Sequence, residues 1–544
     1  MNKLINALLN PLLYDHDVDK IELVETHISW VLLTGDFAYK IKKPVNFGFL
    51  DFSTLEKRKF YCEEELRLNR RFAPQLYLDL ITITGTENLP SLYGTGEVLE
   101  YAVKMKQFPS ESLLSKLLDN GDLREPHMDW LAKSIADFHL HTDVAKNESS
   151  FGTIEAVAQP VSENFQQIRH QIQDPDILHQ LDGIEKWCTD VFERLDPELR
   201  KRKQEGYIRE CHGDLHLGNI ILLHEKVIPF DCLEFNENLR WIDILSEIAF
   251  LIMDLDDHQR SDLSRRLLNK YLEYTGDYSH LAVLQYYMVY RAMVRAKVNA
   301  LQLNQDGLDQ QEISSALREC KNYIALGNLY ITEHKPLLII THGFSGSGKT
   351  TISQFILEAL PVIRIRSDVE RKRMFKGQSP GNSEDEKYHQ TQSKINEGIY
   401  SKELSSKTYD HLRSLAEDII LAGLSVIVDA SFLQANQRKR FSQLATVLNV
   451  PFRIINCHAE HSILEQRISE RQAYGSDASE ATLNVLFHQQ ENHDPLTEEE
   501  VLQSFSMDKT EASHIKTVTD HLLALIHGHA APDSFSDNEI LKHS

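Results

Sequence analysis

The chain has 544 residues, too many for one compact core, and its 42% hydrophobic and 26% charged residues supply enough apolar side chains for several globular domains. This composition excludes collagen, a coiled coil and a largely disordered chain. The 58 Lys and Arg against 81 Asp and Glu give a net charge of −23. Such a charge disfavours nucleic acid and anionic membranes as partners, because both are bound mainly through positive charge.

Cysteine usage and the amino terminus point to a cytoplasmic protein. The six cysteines are scattered without a C-x-x-C pair, so neither a disulfide framework nor a zinc site is expected. The first residues, MNKLINALLNPLL, are interrupted by Asn and Pro and predict a short amphipathic helix rather than a signal peptide. No run of about 18 uncharged apolar residues occurs, so no membrane span is expected. The oligomeric state is left open.

The first elements along the chain predict a small β-rich lobe followed by a helical lobe. Residues 27–42 alternate apolar and polar around Thr34-Gly35-Asp36, which predicts a hairpin. A helix that begins at Ser53 or Thr54 and stops before Pro74 follows, and residues 98–108 again predict a strand. From residue 110 the pattern is mostly helical. Within this helical region, the stretch 145–205 resembles an insertion. We therefore predict a small lobe over about 1–107 and a helical lobe over about 108–330.

Within the helical lobe, residues 211–219 read CHGDLHLGN and residues 229–235 read PFDCLEF. These residues reproduce the pattern H-x-D-x-x-x-x-N with an Asp further along the chain. Phosphoryl transfer needs one carboxylate to accept or orient the proton of the acceptor, and an amide and a second carboxylate to hold magnesium on the nucleotide phosphates. We predict that Asp214 is the base and that Asn219 and Asp231 are the metal ligands.

These motifs resemble the aminoglycoside phosphotransferase and choline kinase group, over roughly residues 20–300. The resemblance implies a bilobal protein-kinase-like fold, ATP, magnesium and a small hydroxylated acceptor. It also implies that Lys40, on the second strand of the hairpin, clamps the α- and β-phosphates, with Lys42 and Lys43 as alternatives. The chain departs from the group because no G-x-G-x-x-G loop precedes Lys40.

The lysine needs an acidic partner on the helix that follows the hairpin. The candidates there are Glu63, Glu64 and Glu65, of which we favour Glu65 or Glu63.

A second module begins after the proline-containing stretch ITEHKP, so we predict a linker over 331–336, a P-loop domain over 337–525 and a tail over 526–544. In this module the strand-like runs LLIIT, VIRIR, LSVIVDA and PFRIINC alternate with helical stretches. Such alternation is typical of β-α-β units around a parallel sheet.

The first of these runs leads into GFSGSGKT, which fits the phosphate-binding pattern G-x-x-x-x-G-K-S/T, and a helical stretch follows it. Backbone N–H groups of such a loop surround phosphate oxygens, and the helix N-terminus adds partial positive charge. Lys349 would reach the β- and γ-phosphates and Thr350 would ligate magnesium. The predicted ATP-binding residues of the loop are Gly343, Phe344, Ser345, Gly346, Ser347, Gly348, Lys349, Thr350 and Thr351.

Further residues of this module point to a small-molecule kinase. Asp368 follows the second strand, where the carboxyl edge of the sheet would place a base for a hydroxyl; it could equally cap the next helix, and both roles are compatible. Asp429 ends VIVDA and would help to hold magnesium. Arg467 and Arg471 lie four residues apart on one helix and could close over the phosphates, with solvated surface charge as the alternative.

This module resembles the P-loop kinase group that includes polynucleotide 5′-kinases, zeta-toxin-like kinases and chloramphenicol phosphotransferases, which also implies Asp368 as the base. The whole order resembles bacterial proteins described as bifunctional aminoglycoside phosphotransferase/ATP-binding proteins. We therefore predict a multidomain α+β and α/β chain, in which a protein-kinase-like fold precedes a P-loop parallel-sheet domain.

The predicted function is an ATP- and Mg²⁺-dependent phosphotransferase with two nucleotide sites that act on hydroxyls of small molecules. The alternative is one catalytic half regulated by an ATP-binding sensor half. Basic residues gather where the motifs predict phosphates, despite the acidic total: they are Lys40, Lys349, Arg364, Arg366, Arg467 and Arg471.

Overall fold

The computed structural model describes residues 3–48, 50–303, 309–376, 402–474, 482–507 and 512–528. By their internal contacts the residues of the chain form two units, of which the first contains Met1–Gln259 and Tyr286–Asn328 and the second contains Arg260–Gln285 and Leu329–Ser544. The linker that we predict at residues 331–336 stays a prediction. The contacts add that Arg260–Gln285, which precedes this linker, packs with the second unit.

The first unit begins with an antiparallel sheet. Its strands are β1 Glu22–Glu25, β2 Ser29–Leu33, β3 Phe37–Lys42, β4 Tyr77–Thr86, β5 Leu89–Leu92 and β6 Val98–Lys106. The strand order in this six-stranded sheet is β1-β2-β3-β6-β4-β5. The predicted hairpin is confirmed as β2 and β3, whereas the sequence reading did not identify β4 and β5.

Two helices complete this small lobe. Helix α1 spans Lys3–Leu8 and buries Leu4, Ile5 and Leu8, and helix α2 spans Leu55–Asn69. The hydroxyl of Thr54 caps α2 by accepting a hydrogen bond from the Lys57 N–H, as predicted. Cys62 and Leu66 of α2 pack in one apolar cluster with Val103 and Met105 of β6, so the helix is fixed on the sheet that carries Lys40.

The rest of the first unit is mainly helical. Its helices are α3 Leu114–Asp119, α4 Glu125–His141, α5 Ile154–Gln171, α6 Pro175–Gln204, α7 Ile244–Asp257, α9 Ala282–Gln302 and α10 Gln310–Tyr330. The first residues of α9 and the last residues of α10 group with the second unit. Two short antiparallel pairs frame the HGD motif: β7 Ile208–Glu210 with β10 Trp241–Asp243, and β8 Ile220–Leu223 with β9 Lys226–Pro229.

The second unit is built on a five-stranded sheet. Its strands are β11 Leu338–His342, β12 Val362–Arg366, β13 Ser425–Asp429, β14 Phe452–Cys457 and β15 Ser504–Met507, in the order β12-β13-β11-β14-β15. All neighbouring strands are parallel, so their carboxyl ends meet at one edge. The helices are α8 Ser261–Thr275, α11 Lys349–Ala359, α12 Ser367–Lys376, α13 Lys402–Leu421, α14 Ala435–Val447, α15 His461–Tyr474, α16 Leu483–Glu491, α17 Glu498–Leu502 and α18 Ala512–Ile526.

The six cysteines are all buried and unpaired, in keeping with the expected thiol state. In the part of the chain that the structure describes, no helix has both the length and the apolar character needed to cross a membrane.

Candidate active sites

In the first unit, the predicted lysine lies in a cluster of buried charges. The Lys40 ammonium is 2.8 Å from Oε1 of Glu65 and 2.5 Å from Oδ1 of Asp231. Glu63 instead lies at the surface, 3.7 Å from Lys59. Of the two favoured glutamates, the structure therefore brings Glu65 to Lys40.

Lys42 belongs to the same cluster, which the sequence reading did not anticipate. Its ammonium is 2.7 Å from Oε2 of Glu65 and also contacts Glu234, and its side chain is only 1% exposed. Burial raises the pKa of Glu65, but the two lysines outweigh burial and lower that pKa to about 2. Glu65 thus stays ionised and forms ion pairs with both Lys40 and Lys42.

Asp231 reaches this cluster through an uncommon backbone conformation. Its φ of +63° lies in the left-handed region, which Asp tolerates better than most residues. The Asp231 N–H donates to the hydroxyl of Tyr77 at 3.0 Å. This turn directs the carboxylate towards Lys40, while the side chain remains 41% exposed and accessible to a cation.

The turn between strands β1 and β2 contains no glycine. Strands β1 and β2 are joined at Thr26, whose N–H donates to the Ser29 carbonyl and whose hydroxyl accepts from the Ser29 N–H, both at 2.9 Å. Ser29 pairs with Lys42 across the sheet. The turn therefore lies beside the Lys42 end of β3.

The HGD loop places the predicted base beside its amide partner. The Asn219 side-chain amide donates to the backbone oxygen and to Oδ2 of Asp214, both at 3.0 Å. Nε2 of His216 lies 3.5 Å from the same Oδ2, while Nδ1 accepts from the Gly218 N–H at 3.1 Å, so the ring proton faces Asp214. Burial raises the pKa of Asp214, but His216, together with His212 and Arg295, lowers it by more, and the carboxylate is ionised at neutral pH.

Two acidic residues of α7 hold this loop, and the sequence reading missed both. The Glu247 carboxylate accepts from the N–H groups of His212 at 2.6 Å and Gly213 at 2.9 Å, and Asp254 accepts from the Leu217 N–H at 2.8 Å. Buried carboxylates that receive several backbone N–H groups fix a loop rigidly. The available signal was that both lie beside the apolar run IAFLIM, Glu247 before it and Asp254 after it.

In the second unit, the phosphate-binding loop requires its glycines. Gly343 has φ +145°, and a Cβ there would lie 2.1 Å from the Cys457 carbonyl oxygen. Gly346 and Gly348 have φ +84° and +94°. The Lys349 ammonium donates to the carbonyls of Gly343 at 3.0 Å and Phe344 at 2.7 Å, so the lysine lies along the loop that it serves.

A cleft of about 940 Å³ brings the predicted residues of this unit together. Its walls include Lys349 and Thr350 of the loop, Asp368 at the start of α12 and Asp429 at the end of β13. The carboxyl ends of parallel strands thus bring together the phosphate binder and both carboxylates. Thr351 and Ser345 also line the cleft.

The remaining predicted residues of this unit differ in their contacts. Asp368 pairs with Arg371 at 3.1 Å within the first turn of α12. Arg467 donates to the Gly346 carbonyl at 3.1 Å and so contacts the phosphate-binding loop. The side chain of Arg471 lies outside the described residues. Phe344 packs against the apolar cluster of α15 and α16 rather than facing the cleft.

We predicted Arg364 to lie with the other basic residues near the phosphates, but it does not line the cleft. Its side chain is buried, donates to the carboxylate of Glu273 at 2.6 Å and 3.1 Å, and contacts the Ser353 hydroxyl at 3.3 Å. Arg366, on the same face of β12, does line the cleft, and its Nε lies 3.9 Å from Oδ2 of Asp429.

The donor atoms present suit Mg²⁺ and a nucleotide. Magnesium prefers hard oxygen ligands, which the Thr350 hydroxyl and the buried Asp429 carboxylate provide in one unit and Asn219 and Asp231 in the other. Gly346 and Gly348 of the phosphate-binding loop line the same cleft as Thr350 and Asp429. The cleft and the glycine cradle therefore fit a bound nucleoside triphosphate.

Comparison with known proteins adds three kinds of similarity. A family model described as "AAA domain" matches residues 338–496. A protein of Mycobacterium tuberculosis, described as uncharacterized, is 28% identical over 482 residues, which cover 87% of this chain and 91% of that protein.

Two solved structures are similar to different parts of the chain. A choline/ethanolamine kinase family protein from Mesorhizobium loti is 12% identical and has a TM-score of 0.35, covering 60% of this chain and 98% of its own. A gluconokinase from Sinorhizobium meliloti is 17% identical and has a TM-score of 0.24, covering 35% of this chain and 98% of its own.

The predicted fold class is confirmed. The first unit has the antiparallel sheet with a Lys–Glu pair, the HGD loop and the helical lobe of a kinase-like fold, and the second has a parallel sheet with a P-loop inside the matched AAA domain. The two folds are joined in one chain.

Proposed function

We propose that the chain is an ATP- and Mg²⁺-dependent phosphotransferase with two nucleotide sites, each of which transfers the γ-phosphate to a hydroxyl of a small molecule. The observation that carries the proposal is the single cleft shared by Lys349, Thr350, Asp368 and Asp429. A sensor needs the phosphate binder alone, whereas transfer to a hydroxyl also needs a carboxylate placed to take a proton.

In the proposed reaction, the hydroxyl oxygen of the acceptor attacks the γ-phosphorus. The bond from that phosphorus to the β,γ-bridging oxygen breaks, ADP leaves with the electron pair, and the hydroxyl proton passes to a carboxylate. Asp368 takes this proton in the second unit and Asp214 in the first. Mg²⁺, when bound, neutralises charge on the β- and γ-phosphates.

The other proposed site residues of the first unit bind the nucleotide phosphates and the cation. Lys40, oriented by Glu65, binds the α- and β-phosphates, and Asn219 and Asp231 hold the cation. The contact between Lys40 and Asp231 brings the lysine and the proposed metal-binding carboxylate to one point, and a bound nucleotide with Mg²⁺ would replace this contact. In the second unit Thr350 and Asp429 hold the cation, and Arg467 supports the loop from α15.

The acceptor is small and hydroxylated, and the acidic chain suits neither nucleic acid nor an anionic membrane. The consumption of ATP fits a cytoplasmic location. The experiment is to incubate the protein with a cell extract and γ-labelled ATP and to identify the metabolites that gain phosphate. Asp214→Asn and Asp368→Asn should each remove a different labelled product.

Two results would contradict the proposal in different ways. If neither substitution changes the labelled products, phosphoryl transfer by this chain is refuted. If Asp368→Asn has no effect while Lys349→Met alters the product made through Asp214, the second unit is an ATP sensor that gates the first.

A further inference from the structure

The segment that precedes the P-loop unit in the chain completes the sheet of that unit. Strand β12 is an edge strand, and α8 covers it. Asn269 of α8 accepts from the Arg364 N–H at 2.6 Å and donates to the Val362 carbonyl at 3.2 Å. Its side-chain amide thus forms the hydrogen bonds that a neighbouring strand would otherwise form with β12. An edge strand would otherwise expose these groups.

One turn further along α8, Glu273 is buried between two arginines of β12. Its Oε1 accepts from Nη2 of Arg364 at 2.6 Å, and its Oε2 lies 3.7 Å from Nη1 of Arg366. Lys270 of the same helix also approaches Oε2 at 3.2 Å. Burial raises the pKa of Glu273, but Arg364 and Arg366 outweigh it and lower the pKa to about 2.

Both arginines connect Glu273 with Asp429, a proposed metal ligand. Arg364 contacts the Ser353 hydroxyl at 3.3 Å, and this hydroxyl contacts Oδ2 of Asp429 at 3.2 Å. Nε of Arg366 lies 3.9 Å from the same oxygen. Asp429 therefore lies at the end of two chains of contacts that begin at Glu273.

We propose that Glu273 is a positioning residue for the P-loop site, which holds Arg364 and Arg366 so that the Asp429 carboxylate remains available to Mg²⁺. The inference rests on the proposed function of this site. Arg366 lies between the Glu273 and Asp429 carboxylates, so neutralising Glu273 strengthens the attraction of Arg366 to Asp429. An arginine bound to Asp429 competes with the cation for the same oxygen.

The test uses the full chain and measures ATP binding by calorimetry as Mg²⁺ is titrated. Gly343→Ala, which blocks the P-loop, supplies the heat of the first unit for subtraction. In Glu273→Gln, the Mg²⁺ concentration for half-maximal binding at the P-loop site should rise about tenfold or more, since partners of metal ligands change metal affinity by about 10–100-fold. Binding of ATP in EDTA should change by less than about twofold, because the phosphate-binding loop is untouched.

The matched control is Glu358→Gln. Glu358 of α11 binds Arg266 of α8 at 2.7 Å, so this change weakens the same helix contact away from Asp429 and should leave both binding measurements unaltered. If Glu273→Gln does not fold, the double variant Glu273→Gln with Arg364→Gln removes the unpaired buried charge. It should show the same higher Mg²⁺ requirement.

The outcomes separate this inference from the function on which it rests. An unchanged Mg²⁺ requirement in Glu273→Gln, or equal losses with and without Mg²⁺, overturns the positioning role, and an effect in Glu358→Gln as large as in Glu273→Gln does the same. If the unmodified chain shows no Mg²⁺-dependent ATP binding at the P-loop, the proposed function itself falls.

Discussion

The buried charge cluster of the first unit contains two lysines with different expected roles: Lys42, which we expect to stabilise the fold, and Lys40, the proposed phosphate binder. Lys42→Met removes a cation that is 1% exposed and contacts two carboxylates, Glu65 and Glu234, which are 0% and 5% exposed. Removing one partner of a buried ion pair costs about 3–5 kcal/mol, because the remaining charge stays buried. We expect Lys42→Met to lower the free energy of unfolding of the first unit by this amount.

Lys40→Met should behave differently. Glu65 would keep Lys42 as a partner, and the 41% exposed Asp231 carboxylate can be solvated, so the loss of stability should be smaller. The loss of phosphoryl transfer should be larger, because Lys40 is the proposed phosphate binder. Lys43→Met is the matched control: its partner Glu25 is exposed, and exposed pairs contribute little.

Tryptophan fluorescence during urea unfolding measures the first unit selectively. All four tryptophans belong to this unit: they are Trp30, Trp130, Trp187 and Trp241. If Lys42→Met unfolds at the same urea concentration as Lys43→Met, the buried cluster does not stabilise the unit as described. If Lys42→Met and Lys40→Met lose stability and transfer in equal proportion, the division of roles is wrong.

Further changes test individual sites. Gly343→Ala should reduce the number of ATP molecules bound per chain from two to one by calorimetry, whereas Gly423→Ala, where a Cβ meets nothing within 4 Å, should retain both. Because the pKa of Glu65 is about 2 in the folded chain against 4.5 ordinarily, its contribution to stability is present above pH 4.5 and lost as the pH falls towards 2. Tryptophan fluorescence should show a smaller acid-induced loss in Glu65→Gln. His216→Gln should move the acid limb of kcat/KM of the first site to higher pH, since His216 lowers the pKa of Asp214.

The sequence predicted those site residues that belong to a short continuous motif. The phosphate-binding loop and the HGD motif needed no distant partner to be recognised. Lys42 was also within reach of sequence reasoning: side chains two apart on a strand share a face, so Lys40 and Lys42 point the same way. The choice between Glu63 and Glu65 required the rotational setting of α2, because residues two apart on a helix lie about 200° apart.

The residues that hold the proposed catalytic groups in place could not be predicted from the sequence. Glu247 binds the HGD loop from a helix more than thirty positions away, and Glu273 meets Arg364 across a separation of 91 residues. Neither has a motif of its own, since any carboxylate in the right place would serve. Packing of distant helices decides which one does.

The chain passes from the first unit into the second and back again. Helix α7 holds the HGD loop through Glu247 and Asp254, the next helix, α8, covers the edge of the P-loop sheet, and the chain then returns in α9 to the first unit. A fragment that starts at residue 337 would lack α8 and leave Arg364 buried without Glu273. Inactivity of such a fragment would therefore reflect a missing structural element and would not count against phosphoryl transfer at the P-loop, which is why both proposed sites have to be tested by single substitutions in the whole chain.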